Sequence, residues 1–134
     1  MQYMQISPRV IRETSQGVEC VHLADLMFQN RAFWLSGNID GNSADTINSQ
    51  LLHLAAEAPD KDITIYINSP GGEVSSGLAI YDVMQAVPCK IRTVCVGTAA
   101  SMAAVLFAAG DRREILKHGK ILIHDPLVPR GVAG

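Results

Sequence analysis

The chain has no run of like charge. Its 11 basic and 13 acidic residues leave a net charge of −2 and form no basic stripe. Nucleic acid is therefore not expected as a partner, because phosphate binding needs a positive face. Cysteine is sparse: Cys20, Cys89 and Cys95 lie 69 and 6 residues apart. They cannot all pair, and those spacings fit no zinc template, so free buried thiols are expected rather than a disulfide framework or a structural metal. No segment is apolar for long enough to suggest a signal peptide or a membrane span, so no membrane partner is expected and the location is expected to be cytoplasmic. Internal repeats and low-complexity tracts are also missing, and no cofactor is expected.

What remains is a chain of 134 residues, 48% hydrophobic and 18% charged. That composition describes one globular domain with a real core. Residues 1–17 read as an irregular N-terminal segment, with Pro8 and Gly17 as breakers, and 18–134 as the domain. Val18–Val21 reads as a short strand, His22–Gln29 as a short helix and Ala32–Leu35 as a buried strand. Apolar positions at Ile47, Leu51, Leu52, Leu54 and Ala55 recur with helical period, predicting a helix over Ser43–Ala58 that Pro59 ends. The β-branched run Ile63–Ile67 predicts a fully buried strand, followed by a turn over Asn68–Gly72. A helix over Glu73–Ala86, a strand over Ile91–Val96 and a helix from Ser101 to Ala109 come next. Strands over Glu114–Leu116 and Ile121–Ile123 close the pattern, separated by a turn at His118–Lys120. Strand alternates with helix at short spacing, which predicts an α/β fold with a parallel-stranded βαβ core.

Ligands of such sheets gather beyond the carboxyl ends of the strands. Three of these ends carry chemistry. Ser101 stands between a strand and a helix, among Gly97, Ala99, Ala100, Ala103 and Ala104, where unpaired helix N–H groups make the potential positive. This suits a nucleophile whose intermediate carries an oxyanion, although an isolated serine at that place is more often a plain helix cap. Gly71-Gly72 tolerates positive φ and leaves backbone N–H groups bare, or is a plain turn. His124 follows Ile121-Leu122-Ile123 and is either a general base or a satisfied core histidine. Taken together, the three have the parts of acyl-transfer chemistry. Phe33 and Trp34 read as core. His22 and His53 read as helical surface or boundary residues, and His118 as a turn residue.

The segments Ile65-Tyr66-Ile67-Asn68-Ser69-Pro70-Gly71-Gly72, Gly77 to Gln85, Ala99-Ala100-Ser101-Met102 and Ile121-Leu122-Ile123-His124 with Pro126 resemble the ClpP family. These are the proteolytic subunits of ATP-dependent Clp proteases. The resemblance runs from about Arg31 to Pro126, with several motifs in the family order. It implies the ClpP/crotonase-like fold, Ser101 as nucleophile, His124 as general base, and the N–H groups of Gly72 and Met102 as the oxyanion hole. It also implies a serine endopeptidase subunit in a homo- or hetero-oligomeric assembly of two stacked heptameric rings. Its partners would be an AAA+ Clp ATPase and the unfolded polypeptides that the ATPase feeds in. In the family, hydrophobic docking clefts for ATPase loops lie near strands such as the one that holds Phe33 and Trp34.

Two departures from the family stand near the site: Ala103 where a glycine is usual, and Asp125 where a glutamine is usual. In the family a long handle helix follows, and the catalytic acid lies beyond it. The domain is expected to lack that handle helix and the C-terminal part, so the third triad acid is not identified. Asp125 is not expected to serve, because neighbours on a strand face opposite sides. The 134-residue form is accordingly expected to be inactive or nearly so. Two other functions stand beside the peptidase: a catalytically inactive ClpP-like scaffold in a mixed ring, and a crotonase-fold enzyme acting on acyl-CoA.

Overall fold

A computed structural model describes residues 8–124. It opens with an antiparallel hairpin of β1 (Arg9–Thr14) and β2 (Gly17–His22). Residues 9–14 were expected to be irregular, and they are a strand instead. Gly17 marks the hairpin's turn, where its φ of 126° suits a residue without a Cβ. Thr14 Oγ1 donates to Gly17 O at 3.1 Å and accepts from the Gln16 N–H at 3.2 Å. An Arg12–Glu19 ion pair crosses the two strands.

After the hairpin come α1 (Leu23–Gln29), β3 (Ala32–Ile39), α2 (Gly41–Glu57), β4 (Ile63–Gly72) and α3 (Val74–Ala86). Then follow β5 (Ile91–Ala100), α4 (Met102–Ala108), β6 (Arg112–Ile115) and β7 (Lys120–Leu122). The strands from β3 onward form one sheet in the order β3-β4-β5-β6, with β7 also on β5, and every pairing is parallel. This is the α/β core expected from the alternating pattern.

The core lies on one face of the sheet. Phe33 and Leu35 on β3, Ile63, Ile65 and Ile67 on β4, and Ile91 and Cys95 on β5 are buried, and they meet Ala44, Ile47, Leu51 and Leu54 of α2, Ile80 and Met84 of α3, and Leu106 of α4. The opposite face is more open. Trp34, expected to be core, is 44% exposed and stacks on Tyr66 with ring centroids 5.4 Å apart, whereas Phe33 is buried. β4 therefore alternates instead of being buried on both sides. Next to that row, Arg92 forms a two-pronged pair with Glu114, at 2.5 and 2.9 Å. Of the three thiols expected to be buried, Cys89 and Cys95 are, but Cys20 on the hairpin is exposed.

Local chemistry fixes the connections. Asp40 caps α2: its Oδ1 accepts from the Ser43 N–H, and Ser43 Oγ accepts from the Asp40 N–H, both at 2.9 Å. Arg31, at φ 62°, closes the other end of that helix. Its guanidinium donates to the carbonyls of Leu54, Ala58, Lys61 and Asp62 at 2.8–3.1 Å. Carbonyls at a helix C-terminus have no intrahelical donor and carry partial negative charge, which a guanidinium satisfies.

Candidate active site

Two strands run further than their sequence suggests. β4 continues through the expected turn to Gly72, and β5 continues past Gly97 to Ala100. Register shifts absorb the irregular residues, between Ser36 and Asn38 on β3 and between Ile67 and Ser69 on β4. Gly37 at φ 74° and Gly97 at φ 88° supply the backbone that such bulges need. Asn68 spans the gap to β5, its Oδ1 accepting from the Thr98 N–H at 3.2 Å. Past the bulges Ser69 pairs with Ala99, and β7 lies along the end of β5 through Ala99↔Ile121 and Ala100↔Leu122. The ends of β4, β5 and β7 thus share one rim.

At that rim Ser101 takes φ 57° and ψ −124°, a sparsely populated conformation for a residue with a Cβ. Its backbone is held on both sides. The Ser101 N–H donates to Leu122 O at 2.9 Å, and its carbonyl accepts from the N–H groups of Ala104 and Val105 at 2.9 and 3.3 Å. Its side chain makes no cap hydrogen bond with α4. The hydroxyl is therefore not spent on the capping role that serine usually has at a helix start. Met102 opens α4, so its N–H has no intrahelical acceptor.

The glycine pair packs directly on this turn. A Cβ on Gly71, which sits at φ 98°, would stand 2.8 Å from Ser101 Cβ and 3.1 Å from Met102 N. No side chain fits there. Gly72 is laddered to Ile39 on β3. The Met102 side chain is seated on α3, where a Cβ on Gly77 would lie 2.5 Å from Met102 Cε and 3.1 Å from Met102 Cβ. Ala103 is fully buried. His124 lies two residues past Leu122, the backbone partner of Ser101, and is exposed. Asp125 lies outside the described residues.

The sequence matches the Clp protease family over residues 15–133. The chain belongs to the Clp protease family. The match takes in the hairpin's second strand and every element after it, more than the motifs alone covered. A parallel sheet flanked by helices is the fold of this family, and membership marks a ClpP-like peptidase. Clp proteases form ring-shaped oligomers that work with Clp ATPases.

Sequence reasoning passed over three residues around the site: Ser69, hidden in the expected turn, Gly71, read only as half of a glycine pair, and Gly77, quoted only as part of a motif. A glycine inside the helix expected over Glu73–Ala86 was the one signal open to a reader, since glycine costs a helix about 1 kcal/mol against alanine.

Proposed function

We propose that the chain is a serine-type endopeptidase subunit of a compartmental protease. In it, Ser101 is the nucleophile, His124 the general base, and the N–H groups of Gly72 and Met102 the oxyanion donors. One observation carries this reading. Ser101 is held at a strained strand-to-helix turn by its own backbone bonds, with a hydroxyl that does not cap the helix, against a glycine pair packed too closely for any side chain to stand between them.

In the proposed reaction His124 takes the proton from Ser101 Oγ as the oxygen attacks the scissile carbonyl. The carbonyl oxygen becomes an oxyanion between the two N–H groups, which are already fixed before the charge develops. The intermediate collapses, His124 returns the proton to the leaving amine, and an acyl-enzyme remains on Ser101. Water, activated by His124, then releases the carboxylate and restores the serine. The substrates in this reading are unfolded polypeptides, delivered by an AAA+ ATPase to a ring of these subunits.

A serine-reactive fluorophosphonate tests the assignment. It will label the wild-type chain at Ser101, found by mass spectrometry, and Ser101→Ala will lose both label and peptide hydrolysis while keeping its fold. Label on another serine, or peptide turnover kept by Ser101→Ala, would sink it. A fully folded chain that takes no label would favour the scaffold function.

A further inference from the structure

We propose that Ser69 is a positioning residue for the oxyanion donors: its hydroxyl sets the angle of the Gly71–Gly72 peptide. Ser69 is 1% exposed, one of the few buried polar side chains. Its Oγ donates to Gly37 O at 2.6 Å and accepts from the Gly71 N–H at 3.0 Å. A hydroxyl has one proton to give and lone pairs to receive, so the two bonds are compatible and run in one chain from β3 through Ser69 to Gly71.

Both partners lie where the sheet is irregular. Gly37 sits inside the register shift between Ser36 and Asn38, and Ser69 follows the shift after Ile67. The hydroxyl supplies a hydrogen bond at a point where the regular ladder is interrupted. The consequence reaches the site because Gly71 is conformationally free except where it is held. Its N–H is tied to Ser69 Oγ, its Cα abuts Ser101 and Met102, and Gly72 is tied to Ile39. The peptide between Gly71 and Gly72 is thereby clamped between β3 and the nucleophile's turn. It carries the Gly72 N–H, the second proposed donor.

Removing the hydroxyl leaves the buried Gly71 N–H without that partner, where an unmet donor is costly, and releases Gly37 O at an exposed residue. The peptide is then free to rotate. Misplacement of a reacting group by roughly 1 Å costs about 10²-fold in rate, and loss of one oxyanion donor about 10²–10³-fold. This inference rests on the reading of Ser101 as nucleophile.

The test compares the wild-type full chain with Ser69→Ala, Ser101→Ala and Ile47→Val. The last is a buried α2 change that lowers stability away from the rim. The readouts are kcat and KM for a fluorogenic peptide, affinity for a peptide boronate whose serine adduct mimics the oxyanion, and amide exchange at Gly71. Ser69→Ala will lower kcat by about 10–100-fold with little change in KM. It will weaken the boronate in step, and will speed exchange at Gly71 while Ile65 and Ile67 stay protected. Ile47→Val will keep its kcat. Wild-type kcat in Ser69→Ala, an effect on KM alone, or loss of protection along the whole of β4 would each overturn the inference. Turnover surviving in Ser101→Ala defeats the reading of Ser101 instead, while a wild type without turnover is what a chain lacking the triad acid gives. Exchange at Gly71 then still decides the clamp, and unchanged protection in Ser69→Ala refutes it.

Discussion

Ser101 carries strain that its neighbours must offset. At φ 57° and ψ −124° its Cβ is crowded by the backbone, at a cost of about 1–3 kcal/mol. Glycine relieves that strain but adds disorder to the unfolded chain worth about 0.5–1 kcal/mol. Both Ser101→Gly and Ser101→Ala will be inactive, and Ser101→Gly will unfold at the same or a higher temperature than Ser101→Ala. A clearly lower melting temperature for the glycine variant would mean that the turn is not strained. Arg31 poses the opposite case, a charge with no acidic partner among the described residues. Its fork reaches four carbonyls, which an ammonium on a flexible stem cannot do at once. Arg31→Lys will lower the unfolding free energy by about 2 kcal/mol, read from urea midpoints. Ser101 was legible because small residues surround it in sequence. Ser69 and Arg31 were not, because their partners lie 32 and up to 31 residues away.

Helices α3 and α4 meet at the site through a close contact. α3 presents Gly77 to Met102, with no space for a methyl group between them. Alanine there gains about 1 kcal/mol of helix propensity, but overpacking a filled core costs about 1–3 kcal/mol. Met102 must shift, and its N–H shifts with it. Gly77→Ala will therefore change stability little and cut kcat by an order of magnitude or more, since small displacements of an oxyanion donor are severe. A variant that melts normally and turns over peptide normally would show that Met102 relaxes through its side chain alone. Helices α2 and α3 were legible from their apolar period and from Pro59. The ends of β4 and β5 were not. Gly37, Gly71 and Gly97 look like turn residues, and only pairing with neighbouring strands converts those turns into bulges within continuous strands. The hairpin was missed for a related reason: β1 has little apolar alternation, with a single position out of full exposure, and it is defined by its ladder to β2.

At the scale of the whole molecule, the open face of the sheet carries a charge cluster that links β5 to β6. Glu114 accepts from Arg92 and pairs with Arg112 at 3.1 Å. The hydrogen bond from Arg92, more than the charges themselves, holds the Glu114 carboxyl below its ordinary range and raises the Arg92 guanidinium. A carboxyl lowered on folding adds stability that is present above its unfolded pKa, near 4.3, and lost as pH falls through its folded value. Between about pH 5 and pH 3 the wild type will therefore lose more stability than Glu114→Gln, by urea midpoints; parallel losses would show that solvent screens the pair. The sequence alone determined the α/β class, the strand and helix order from β2 onward, the family resemblance and the identities of Ser101, Gly72, Met102 and His124 as candidates. Periodicity and short motifs are local, so a linear reading captures them. Tertiary structure alone decided that Trp34 faces outward, that Ser101 does not cap its helix, and that Ser69 links β3 to the glycine pair. Each of these depends on which strands lie side by side and in what register, and that is set by burying one face of the sheet under its helices.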